Sequence, residues 1–240
     1  SSSAASDVYK RQAVLRERRE SGMRGIILKD LYEGFCIRKN TLNWAISMIF
    51  ISFLTGINSM MRGPYGFLLI VVLLFPIMGS TLLQMTVEQD EKSEFDRIQL
   101  TYPLSKREIV LSKYLGGLLV QGGMILYSFL FLLVYVYGYK TLTFGEAIST
   151  WGIGVAGSLV YFSVSYMVYF WLGNMKGVIF TFITMAVLVI GFVFSVFNVG
   201  LEELMQVDKS IWVLCLWGMA AVFIALSYWI SVKIYAKKHS

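Results

Sequence analysis

The sequence predicts an all-α membrane protein of six transmembrane helices behind an N-terminal interfacial amphipathic helix, both termini cytoplasmic. Three observations carry that prediction. The 240 residues are 57% hydrophobic and only 15% charged, where soluble domains hold roughly 25% charged residues. Six stretches, 42–61, 65–87, 114–139, 147–173, 177–199 and 211–232, contain no Asp, Glu, Lys or Arg. Each is long enough, at about 20 residues, to cross a hydrocarbon core about 30 Å thick. Buried helices of soluble proteins rarely run so long without a charge. Finally, 18 of the 21 Lys and Arg residues fall on one side of the spans: before residue 42, in 88–113, in 174–176, and from Lys233 onward. Only Arg62, Lys140 and Lys209 fall on the other side, and the basic side of short loops is the cytoplasmic one. The net charge of +6 is therefore a topology signal, and no nucleic acid is expected as a partner.

The elements follow in order. Residues 1–22 lack an apolar secretory core and read as a non-native or disordered leader ahead of a natural start at Met23; residues 23–240 read as one domain. Over 24–39, Ile27, Leu31 and Phe35 recur every four residues with most charges elsewhere. That pattern fits a helix lying in the membrane interface, its stripe in lipid. The plainer alternative is a cytoplasmic extension of the first span. In the second span Pro76, with Gly79 a turn later, removes a backbone hydrogen bond and favours a kink. The third and fourth spans carry Gly116, Gly117, Gly122, Gly123, Gly152, Gly154, Ala156 and Gly157, small residues that let helices approach closely. Trp44, Trp151, Trp171 and Trp212 near span ends suit interfacial anchors.

Several chemistries are excluded. The single histidine, His239, leaves no metal cluster or catalytic dyad, and Cys36 and Cys215 have no ligand or disulfide spacing. Glu202, Glu203 and Asp208 in the 199–210 loop lack the membrane histidines a metalloprotease would need, so a small outer cap is expected there. No catalytic, cofactor-binding or metal residue is assigned. Asn43, Asn58, Gln84 and Gln121 are the polar span residues that could line a pathway; the alternative for each is a helix-to-helix hydrogen bond. No charge lies within a span, which argues against an ion-coupled transporter.

The 88–113 loop carries the most information. Before Pro103, Phe95, Ile98 and Leu100 or Tyr102 can share one side of a short helix, with Glu94, Asp96 and Arg97 on the other. After it, Ser105-Lys106-Arg107-Glu108 is a capping box that starts the next helix. Apolar Phe95, Ile98, Tyr102 and Leu104 interleaved with charge suggest a contact surface rather than a solvated loop.

The run Tyr102-Pro103-Leu104-Ser105-Lys106-Arg107-Glu108-Ile109-Val110, with Lys113, resembles the loop motif of ABC-2 type permeases. There it reads Leu-Pro, Val or Leu, Ser, Arg or Lys, any residue, Glu-Ile-Val, then Lys after two more; Tyr102 departs from the usual leucine. The resemblance covers residue 23 to the end, and peptide-exporter permeases are similar in size and loop style. It implies an ABC-2 exporter architecture in a bacterial cytoplasmic membrane, with a coupling helix over 94–100 docking on separate cytoplasmic ABC ATPase subunits. It further implies a second permease copy or paralogue, and ATP and Mg bound by the ATPase alone; no G-x-x-x-x-G-K-[ST] occurs in this chain. The expected role is export of a hydrophobic or amphipathic peptide or lipid-like molecule. The rival expectations are a non-transporting immunity or sensor-associated protein on the same fold, and an intramembrane enzyme.

Overall fold

A computed structural model describes residues 20–102, 104–199 and 210–238. Every regular element among them is helical. Helix α1 covers 20–35, α2 is Arg38–Ile57, and α3 runs over Pro64–Ser93. Then come the short α4, Phe95–Gln99, α5 over Lys106–Gly138, α6, Phe144–Val199, and α7, Ser210–Lys238. Glu20, Ser21 and Gly22 are already helical, and a side chain at Gly22 would touch Leu104. The end of the expected leader therefore belongs to the folded body.

Five helices, α2, α3, α5, α6 and α7, are long and apolar enough to cross a membrane, against six stretches in the sequence. The difference lies in α6, where the fourth and fifth stretches form one helical run of 56 residues interrupted at Gly173 (φ 74°, ψ −170°). Glycine alone tolerates that backbone readily, having no Cβ. The interruption is a sharp bend. Thr181 Oγ1 donates to the Tyr169 hydroxyl at 3.4 Å, whereas twelve residues of straight helix would separate them by about 18 Å.

Helix α3 is the most irregular, although α5 also ends in a π-helical turn over Val134–Gly138. It opens as α-helix, widens to a π-helix over Phe67–Leu74, returns to α over Phe75–Met78, tightens to 3-10 over Gly79–Thr81 and resumes as α at Leu82. Pro76 lies within this disturbed stretch and lacks the N–H that Val72 O would otherwise receive. Neighbours pack closely on this stretch and hydrogen-bond it at a second carbonyl. The Gln121 carboxamide donates to Pro76 O at 2.8 Å and to Ser158 Oγ at 3.0 Å. Gly154 packs so close that a Cβ there would lie 2.4 Å from Val72 O. Not every expected close-approach glycine is used this way, since Gly122, Gly123 and Gly157 face open space.

Three apolar clusters run along the bundle. One joins Ile26, Leu83, Ile109, Tyr114, Phe162 and Tyr166, a second surrounds Phe75 and Met124, and the third gathers Phe67, Leu132 and Tyr135. Trp44, expected as a lipid-interface anchor, is buried in the second, its indole N–H directed at the Met85 sulfur. Trp151 also turns inward, donating to Ser128 Oγ at 2.9 Å, while Trp171 is exposed. Trp212, His239 and the 200–209 residues, with Glu202, Glu203 and Asp208, lie outside the described side chains.

Candidate functional site

The charged end of the bundle is organised by the chain between α3 and α5. Helix α3 stops at Glu94, whose left-handed backbone (φ 51°, ψ 27°) turns the chain into α4. After the five residues of α4 the Thr101 and Tyr102 amides donate back to Ile98 O and Gln99 O. Ser105 then caps α5: its N–H donates to Glu108 Oε2 at 2.7 Å, and its Oγ accepts from the Glu108 amide at 3.4 Å. Two of the four orphan amides of the helix start are thereby satisfied.

Packed behind this turn is a buried ionic joint. Asp90 Oδ2 accepts from Lys113 Nζ at 2.6 Å and from the Gln99 carboxamide at 3.3 Å. Its other oxygen pairs with Lys29 of α1. Lys29 also reaches Glu33 at 2.8 Å and Asp30 at 3.4 Å, and Lys113 lies 3.6 Å from Asp30. The side chains of Asp30, Asp90 and Lys113 are at most 3% exposed. The Phe95 ring completes the arrangement 4.2 Å below the Lys29 ammonium. One carboxylate thus fastens three helices together, α1 through Lys29, α4 through Gln99 and α5 through Lys113.

The joint holds three carboxylates and two ammoniums. Burial pushes the Asp30 carboxyl above its ordinary range even beside Lys113 and Lys29, and burial raises Glu33 in the same direction. Carboxyl oxygens of Asp30, Glu33 and Asp90 lie within 4.8 Å of one another, a spacing that suits a metal ion. Lys29 Nζ, however, contacts all three carboxylates, so an ammonium already stands where the cation would.

Three further tethers converge on the same segment. Glu91 Oε1 accepts from the Asn174 amide at 2.9 Å, just past the Gly173 bend. Lys106 donates to Ala236 O of α7 at 3.3 Å, and the Tyr228 hydroxyl donates to Arg107 O at 3.4 Å. Helices α1, α6 and α7 are all latched to the chain between 90 and 113.

The structure distributes the sequence-derived site residues unevenly. Ile98 and Tyr102 are exposed with Leu100 between them, whereas Phe95 turns inward and meets Tyr102 edge-on at 6.3 Å. Phe95 and Ile98 therefore do not share one contact face. Leu104 is half-buried against the first cluster, Glu94 is the turn residue, and the Asp96 and Arg97 side chains and Pro103 lie outside the described residues. On α1 the expected lipid stripe is rotated. Ile27 and Leu31 are half-buried, Leu31 against the second cluster, and Phe35 packs on Trp44 at 5.5 Å. The exposed side is led by Leu28 and Tyr32, and the inward side by Ile26, Asp30 and Gly34. Of the polar span residues, Gln121 is a packing bridge and Asn58 ends α2. Asn43 and Gln84 line one cleft. The sequence reading missed Lys29, Asp30, Asp90, Glu91 and Gln99 as site residues. The available signal was that Asp30 and Glu33 share a face with Ile26, at helical spacing.

A profile of the family described as ABC-2 family transporter protein matches residues 25–236 of this chain. No curated protein and no solved structure matches it.

Proposed function

The chain belongs to the ABC-2 family of transporter proteins, and from that premise we propose that it is the permease subunit of an ATP-driven exporter. In this reading the chain crosses a bacterial cytoplasmic membrane six times, the two arms of α6 on either side of Gly173 counting separately, with both termini inside. Two permeases, identical or paralogous, would pair with separate ABC ATPase subunits that bind ATP and Mg. The cargo would be hydrophobic or amphipathic, a peptide or lipid-like molecule, in keeping with spans free of charge.

The observation that carries the coupling role is the ionic joint behind α4. A short helix with exposed apolar groups makes a poor lever if it can swing freely. Here Asp90 ties its base to α1 and α5 through buried charge, where breaking one partner is expensive. Closure of an ATPase dimer against α4 would therefore move α1, α3 and α5 together, and the disturbed stretch around Pro76 is where α3 could yield.

Ile98→Asp tests this most directly, because Ile98 is 47% exposed and its replacement leaves the interior untouched. The expected result is loss of ATPase co-purification from membranes with normal insertion and thermal stability of the permease. Full retention of the ATPase would remove α4 as the docking element.

A further inference from the structure

A cleft of about 230 Å³ opens between α2 and α3 at their charged end. Its lining is graded. Lys39 and Glu88 stand at the rim. Asn43 and Gln84 lie four residues further into each helix, about 6 Å deeper by helical rise. Trp44 and Met78 supply apolar wall.

The rim is net positive, two lysines to one carboxylate. Glu88 is paired with Lys92 at 2.6 Å and also feels the Lys39 ammonium, so one positive charge remains in excess to meet an anion. The two carboxamides are open to a ligand, Asn43 being exposed and Gln84 half-buried in the cleft wall. Polar groups bordering hydrocarbon need a partner, because the lipid interior offers none. Beyond the cleft, Ile46, Ile49, Phe50 and Phe53 of α2 are exposed in an apolar track. The volume is below the roughly 300–1,000 Å³ of a cleft that encloses a drug-sized ligand, so it suits a head group whose chains remain outside.

We propose that this cleft binds the head of an anionic glycerophospholipid. The phosphate would sit against Lys39, the ester carbonyls would accept from the Asn43 and Gln84 carboxamides, and the acyl chains would lie on the exposed face of α2. An N-acyl amino acid offers related chemistry, a carboxylate and an amide carbonyl on one chain, but lacks the second carbonyl for the second carboxamide. This binding is independent of the ATPase, so its failure would leave the coupling role untouched.

Native mass spectrometry of the full detergent-purified chain provides the test, using phosphatidylglycerol, phosphatidylcholine of the same chains, and N-dodecanoylglycine. One phosphatidylglycerol should be retained per chain in preference to phosphatidylcholine. Lys39→Ala should weaken retention about fivefold, the effect of one basic residue near an anionic head, and Lys39→Arg should restore it. Asn43→Ala with Gln84→Ala should weaken phosphatidylglycerol retention about tenfold, with unchanged melting in lipid-free detergent showing that the fold is intact. Equal retention of both phospholipids, or retention indifferent to Lys39→Ala, would overturn the proposal. Displacement of phosphatidylglycerol by equimolar N-dodecanoylglycine would overturn the glycerophospholipid assignment in favour of a single-chain cargo.

Discussion

Helices α2 and α3 are neighbours in the chain, and each has an apolar stretch free of charge, yet they are built on opposite plans. Of the apolar window of α3, 67% is buried, against 17% for α2. The buried helix is also the deformed one, with its π-helical, 3-10 and proline segments, while α2 is continuous α-helix. The reason is backbone satisfaction. A helix facing lipid must close all its own hydrogen bonds; a helix inside protein can leave some to its neighbours, as Pro76 O does to Gln121. In α3 the irregular backbone thus lies where protein surrounds it, a distinction that length and apolarity alone do not make.

That contrast can be broken at graded cost. Asp90→Ala, at the charged end of α3, should be the most severe change, because it removes the carboxylate that Lys29 and Lys113 both approach most closely. Loss of one partner from a buried pair costs about 3–5 kcal/mol, and monodisperse protein should largely disappear on fluorescence-detected size exclusion. Gly154→Val comes next, since its side chain would meet the Val72 backbone at α3's widest point. Overpacking of about 1–3 kcal/mol should appear as a clear drop in melting temperature in detergent. Gln121→Leu removes the bridge to Pro76 O and should cost about 1–2 kcal/mol by the same measurement.

Asp30→Asn should be far milder than Asp90→Ala, and its effect should depend on pH. Burial raises the folded pKa of Asp30, so the folded state holds the proton more tightly than the unfolded chain. Its contribution therefore favours folding at low pH and declines as pH climbs from the ordinary carboxylate range through the raised value. The neutral asparagine should narrow its gap from the native chain as pH rises across that window; a widening gap would mean that Asp30 serves as an ionised partner. At the bottom of the scale, Ile49→Ala on the exposed face of α2 should change stability by no more than about 0.5 kcal/mol. A loss several times larger would sharpen the comparison differently, by showing that a second subunit covers α2.

Much of this was legible from sequence because it is local. Charge-free runs mark the membrane-crossing helices, Ser105 and Glu108 are three residues apart, and Pro76 announces its own missing donor. The bend at Gly173 fell one residue before the expected 174–176 turn, where hydropathy gives no finer mark. What escaped depended on facing and on distant partners. A lysine reaching out to head groups and one reaching inward look alike on a helical wheel, and the Lys29 partner Asp90 lies 61 residues away. Spacing groups Phe95 with Ile98, but the left-handed Glu94 sets the start of α4 so that Phe95 meets Lys29 of α1 and Ile98 faces out. Position near a helix end marks Trp44 as an anchor, while its indole meets the Met85 sulfur and the Phe35 ring.

The attachment of α1 carries a last consequence. An ordinary surface helix, held by greasy residues alone, rides up and down with its leaflet. Lys29, Asp30 and Asp90 deny α1 that freedom, because its vertical position is fixed to the frame of the protein. When the surrounding bilayer thins or thickens, the accommodation must come from lipid deformation or tilting of the entire bundle, and membrane thickness becomes a load felt at the buried joint of Lys29, Asp90 and Lys113.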